Sequence, residues 1–165
     1  MTKLHHHQHT PHTQLADHSE LANRLMSVRQ HTETLASSLS DADATAQSMP
    51  DASPAKWHLA HTTWFFEQFV VVPTLGETSR HDQRFGYLFN SYYDAVGERH
   101  ARHKRGLLTR PSLQEVLVWR KQVNRRLTQI ADTLTLEQAA LIQLGIAHEE
   151  QHQELLMIDI KHVLS

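Results

Sequence analysis

A chain of 165 residues with a formal net charge of −2 is long enough for one domain with a sizeable core, and its balance gives no electrostatic case for binding nucleic acid or a membrane surface. The absence of cysteine excludes disulfides, thiolate metal ligands and a cysteine nucleophile. No stretch is apolar for long enough to span a bilayer, and the first residues hold no apolar h-region, so a cytoplasmic location is the expectation.

The 15 histidines fall into two groups. His5, His6, His7, His9 and His12 lie among Thr, Gln and Pro in residues 1–16, where no apolar period exists. A disordered, histidine-rich tail is expected there, irrelevant to catalysis. Residues 17–165 read as a single domain. A first helix is expected over residues 17–39, where Asp17 and Glu20 make an N-cap pair and Leu21, Leu25, Val28, Thr32, Leu35 and Leu39 keep a four–three rhythm. Residues 40–53 are small and polar with Pro50, and read as a loop.

A second helix is expected from Ser53-Pro54, an N-cap followed by proline at the first helical position, to Val72, where Pro73 stops it. Trp57, His61, Trp64 and Gln68 share one stripe, and His58 is only three residues from His61, so spacing leaves both histidines available as ligands. Residues 73–111 show little helical period, yet hold Phe89-Asn90-Ser91-Tyr92-Tyr93 and a basic run from Arg99 to Arg105. A long crossover of this kind inside a compact domain is usually functional, and its aromatics argue for order. The arginines suit a carboxylate partner as well as a solvated face.

A third helix is expected from Ser112, with Glu115 completing a capping box and Val116, Val123, Leu127, Ile130 and Leu134 as its stripe. A fourth begins at Thr135, with Gln138 three positions on, and runs to the C-terminus. With no convincing strand, the fold class is all-α, a four-helix bundle with a long crossover between the second and third helices.

The fourth helix carries the densest chemistry. Leu141, Gly145, His148, His152, Leu155 and Asp159 follow at steps of four and three, the spacing of a core-facing stripe. His148 and His152 lie one turn apart on that face, and two buried imidazoles need an occupant; a divalent metal is the economical one. The same residues spell H-E-x-x-H, the zinc-protease pattern with Glu149 as general base, and E-x-x-H, the helix contribution to ferritin-like di-iron sites. The protease reading lacks a further ligand and a sheet edge. The di-iron reading lacks a second E-x-x-H.

Several motifs together resemble the sulfoxide synthases of ergothioneine biosynthesis, the EgtB family. They are Ser53-Pro54-Ala55-Lys56-Trp57-His58-Leu59-Ala60-His61-Thr62-Thr63-Trp64-Phe65-Phe66-Glu67, then Phe89-Asn90-Ser91-Tyr92-Tyr93, then Arg105-Gly106-Leu107-Leu108-Thr109-Arg110-Pro111, and finally His148-Glu149-Glu150-Gln151-His152-Gln153-Glu154-Leu155-Leu156. The similarity covers residues 17–165, which correspond to the family's N-terminal DinB-like four-helix domain. It implies an iron(II) site made by His61, His148 and His152, choosing His61 over His58. It implies that Gln151 points toward a substrate imidazole and that Arg102 and Arg105 lie near the thiol substrate's carboxylates.

The reaction so implied joins the sulfur of cysteine or γ-glutamylcysteine to hercynine with O2. Family members continue into a second domain resembling formylglycine-generating enzymes, which supplies much of the pocket and a proton-donating tyrosine. This chain is therefore expected to bind iron(II) but to need that domain for turnover. No catalytic group is assigned within it, although Tyr87, Tyr92 and Tyr93 are candidate donors. The alternatives are a DinB-type thiol transferase using zinc or another divalent ion, and a non-catalytic metal-binding module.

Overall fold

The computed structural model describes the backbone of residues 11–165 and the side chains of residues 18–165. Residues 1–10, with most of the expected histidine-rich tail, lie outside the described residues. Among the described residues there are seven α-helices and no strand: α1 (Pro11–Leu35), α2 (Asp41–Thr45), α3 (Ala55–Phe66), α4 (Val72–Leu75), α5 (Arg84–Phe89), α6 (Leu113–Ile130) and α7 (Leu136–Leu164). Four of them, α1, α3, α6 and α7, form a bundle in which α3 packs on both α6 and α7 and α1 packs on α7. None is long and apolar enough to cross a membrane.

α3 is the central element. Every residue from Ala55 to Phe66 is buried, so no wet face exists on which a period could show. Its start differs from expectation. Pro54 is the N-cap, and Ser53 is occupied elsewhere: its N–H donates to Asp159 Oδ2 at 2.9 Å and its Oγ accepts from Arg105 Nη1 at 2.9 Å. The helix also outruns Pro73. It passes through a π-helical turn, Glu67–Val71, into α4, where Pro73 sits in the first turn and needs no N–H partner. Gly76, at φ 88°, ends it.

α1 spans Pro11–Leu35, beginning before and ending earlier than the Asp17–Leu39 period suggested. Its buried residues are His18, Leu25, Arg29 and Thr32, so Leu25 and Thr32 of the expected line are buried and Arg29 takes the place beside the expected Val28. The loop that follows contains α2, closed by a reciprocal capping box between Ser40 and Asp43. The capping boxes of α6 (Ser112 with Glu115) and α7 (Thr135 with Gln138) form as their sequences predict.

The crossover is ordered through α5 and short 3-10 turns. Asn90, fully buried, holds it: its Nδ2 donates to the carbonyls of Tyr93 at 3.1 Å and Gly97 at 3.2 Å, and its Oδ1 accepts from the Tyr93 N–H at 3.1 Å. That clamp keeps Ser91, Tyr92 and Tyr93 beside α3.

On α7 the deepest line is Ile142, Gly145, Ile146, Glu149 and Leu156. Gly145 and Asp159 of the expected stripe are buried, while elsewhere the buried line is displaced by about one position. His148 and His152 lie at its edge, half-buried, and not at its centre. Gly145 allows this placement. A Cβ there would lie 2.5 Å from Phe66 Cε1, so only glycine lets α7 settle against the α3 aromatics one turn before His148.

Candidate metal centre

α3 presents His61 and α7 presents His148 and His152 to one cavity of about 220 Å³, which Gln151, Arg102 and Arg105 also line. One ring nitrogen from each of the three histidines lies within 4.8 Å of the others. The residues expected from the sequence and the resemblance therefore meet in one place. Of the three candidate tyrosines, Tyr92 and Tyr93 reach the cavity wall. Tyr87 lies apart, half exposed with its ring against His100.

The tautomer of His61 follows from its partner. Its Nδ1 lies 2.6 Å from the Phe89 carbonyl, which only accepts, so Nδ1 carries the hydrogen and Nε2 is a bare lone pair. That Nε2 faces His148 Nε2 at 3.1 Å. Two nitrogens held about 2.1 Å from one ion at ordinary coordination angles lie roughly 3.0–3.4 Å apart, so the spacing suits a shared cation. His148 Nδ1 is buried with no hydrogen-bond partner. A hydrogen bond between the two Nε2 atoms is the metal-free account of the same distance.

Burial keeps the three rings neutral. It holds His61 well below the usual imidazole range, helped by neighbouring His148, and it pushes His148 down to about 4. His152 is lowered by burial and then by His61 and His58. Neutral imidazoles are the form a metal takes, and here no proton competes with it near neutral pH. The donor set, three nitrogens and no thiolate or carboxylate within the cluster, suits iron(II), zinc or a similar divalent ion.

Arg105 is the other unusual group. It is 4 % exposed, its Cζ lies 3.3 Å from the Trp57 ring centroid, and its Nη atoms donate to Ser53 and Ser91 hydroxyls at 2.9 and 3.2 Å. Its Nε has no partner, and among the described residues no carboxylate forms an ion pair with it. Burial, then Arg102, lowers its pKa to about 9. A buried cation in this state suits an anionic ligand from the cavity. Arg102 is exposed and bonded to the Asp51 carbonyl and the Tyr92 hydroxyl. Gln151 is exposed at the cavity mouth.

Glu149 lies outside this site. Its Oε2 accepts from Arg29 Nη1 at 2.9 Å, and its Oε1 accepts from Thr32 Oγ1 at 2.6 Å and from Arg120 Nη2. Burial works to raise its carboxyl, but Arg120 and Arg29 outweigh this and hold it below the usual carboxylate range. A carboxylate so engaged cannot be the general base of an H-E-x-x-H protease or a ligand in a di-iron site. Sequence reasoning missed this network and also the pairing of His58 with Asp159, whose two-turn offset from His152 along α7 was its only local signal.

The family profile described as the DinB superfamily matches residues 24–156. No curated protein matches the chain.

Proposed function

The chain belongs to the DinB superfamily, and on that premise we propose that it is the iron(II)-holding domain of an oxygen-dependent sulfoxide synthase acting in ergothioneine biosynthesis. The observation that carries the proposal is the convergence of His61, His148 and His152 on a cavity that also contains a buried arginine with no carboxylate partner among the described residues. An imidazole-only site beside a cation fits a small substrate that carries both a metal-seeking thiol and a carboxylate. The four sequence motifs resembling the sulfoxide synthases supply the particular pair, hercynine with cysteine or γ-glutamylcysteine.

In this reading His61, His148 and His152 hold the ion, which when bound supplies redox chemistry toward O2. Arg105 receives a carboxylate of the thiol substrate with its free Nε edge, and Arg102 stands at the mouth for a second carboxylate. Trp57, stacked on His61 with ring centroids 4.6 Å apart, closes the inner wall against water. Gln151 faces the open side, where an imidazole substrate enters. Tyr93, whose phenol burial keeps protonated, is a proton-holding hydroxyl on the cavity wall, and Tyr92 is 71 % exposed beside it. So exposed a rim suits completion by the second domain that the resemblance implies.

The experiment is anaerobic loading with iron(II), then O2, hercynine and either thiol, with mass spectrometry for the sulfoxide. We expect about one tightly held iron per chain, lost in His61→Ala, His148→Ala and His152→Ala, and sulfoxide formation only with a companion domain supplied. Transfer of a thiol to an electrophile with zinc, and no sulfoxide under any condition, would overturn the proposal in favour of a thiol transferase.

A further inference from the structure

His58 and Asp159 line the same cavity but lie outside the histidine cluster. His58 is 2 % exposed, and both of its ring nitrogens are engaged. Its Nε2 lies 3.0 Å from Asp159 Oδ2, and its Nδ1 lies 2.9 Å from His152 Nδ1. The same Asp159 oxygen also accepts the Ser53 N–H at 2.9 Å, so the carboxylate is anchored from the loop before α3. A line of hydrogen bonds thus runs from Ser53 through Asp159 and His58 to His152.

Counting hydrogens along that line fixes one tautomer at each ring. A carboxylate only accepts, so His58 Nε2 carries the hydrogen. In a neutral ring His58 Nδ1 is then a bare acceptor, and the hydrogen between the two imidazoles belongs to His152 Nδ1. His152 Nε2 is left as a lone pair. Burial keeps the His58 ring neutral, as the count requires. The opposite tautomer of His152 would place a hydrogen on Nε2, where it could not ligate.

We infer that Asp159 and His58 are positioning residues, a carboxylate–histidine relay that locks the His152 ring and turns its Nε2 lone pair toward the metal held with His61 and His148. The inference rests on the metal reading above and adds the reason two further polar residues are buried beside it. Outer partners of this kind orient a ligand and raise its basicity. The relay also joins the two ligand-bearing helices, since His58 precedes His61 by one turn of α3 and Asp159 follows His152 by two turns of α7.

Two measurements on the full chain test it. In the metal-free protein, long-range proton–nitrogen correlation spectra at neutral pH should show His58 as the Nε2–H tautomer and His152 as the Nδ1–H tautomer. An Nε2–H tautomer at His152 overturns the relay. In the second, cobalt(II) is titrated against a chelator strong enough to strip the histidine-rich first residues. His58→Phe keeps the ring volume without a nitrogen and should weaken cobalt(II) binding by about 10–100-fold and change its visible absorption. His58→Asn, whose Oδ1 can accept the His152 hydrogen, should recover most of that loss. Wild-type affinity in His58→Phe overturns the inference; should that variant fail to fold, the wild-type tautomers decide. Failure of the wild type to hold cobalt(II), with the tautomers as expected, overturns the metal reading and leaves the relay standing.

Discussion

His148 and Glu149 are neighbours in the chain with opposite surroundings: His148 Nε2 lies 3.1 Å from His61 Nε2 at the cavity, while Glu149 is fully buried against Arg29 at 2.9 Å. One peptide unit separates the cavity face of α7, with its candidate metal ligands, from its structural face. A carboxylate paired with two buried arginines is costly to remove from one side only, because the guanidinium groups remain in the core. Glu149→Ala is therefore expected to destabilise the fold by about 3–5 kcal/mol, read by urea denaturation. Were Glu149 a general base, Glu149→Gln would keep the melting temperature and lose activity. With Glu149 held between two buried arginines, Glu149→Gln is instead expected to lower the melting temperature clearly.

Gly145 is expected to be intolerant even of alanine. The added methyl would meet Phe66 at 2.5 Å and Phe65 Cε1 at 2.9 Å, aromatic edges locked in the core of α3. Overpacking of this kind costs about 1–3 kcal/mol. The strain also pushes α7 away from α3 one turn from His148, so Gly145→Ala should weaken metal binding as well as stability. A variant with lower stability and unchanged metal affinity would show that the close approach does not set the ligand distance.

Metal-free stability should fall with acid in a stated window. In the unfolded chain a histidine titrates near pH 6.5, whereas burial holds folded His148 down to about 4. Between these values the unfolded state binds more protons, so stability is fully present above about pH 6.5 and is lost as the pH falls toward 4. His61 and His152 are shifted in the same direction and add to the slope. Melting temperatures across that window should decline more steeply for the wild type than for His148→Leu.

Arg105 should govern the thiol substrate and leave the metal alone. Arg105→Lys keeps a charge but loses the planar fork, the two serine contacts and the stacking on Trp57. A charge-assisted hydrogen bond is worth about 1.5–3 kcal/mol, so with the companion domain supplied KM for the thiol should rise by roughly 10–100-fold, with metal stoichiometry unchanged. Loss of metal in Arg105→Lys would place the residue among the supports of the site instead.

Much of the fold was legible locally. The capping boxes of α6 and α7 involve residues three apart, and a spacing of four brings His148 and His152 to one side of α7 whatever packs against it. Gly145, Asn90 and the crossover aromatics stood in the sequence as well, but their partners did not. Spacing left His61 and His58 both open and the resemblance favoured His61; the packed structure gives the physical reason, because the two differ in what faces them: the Phe89 carbonyl and His148 for one, Asp159 and His152 for the other. Only the packed structure showed that the deepest line of α7 runs through Glu149 and leaves the histidines at the edge. Hydrophobic periodicity ranks a glutamate as a surface residue, and it does so correctly unless the charge is neutralised inside. The neutralising arginines lie 120 and 29 residues away in the chain, a distance over which a sequence pattern carries no information and a folded core decides everything.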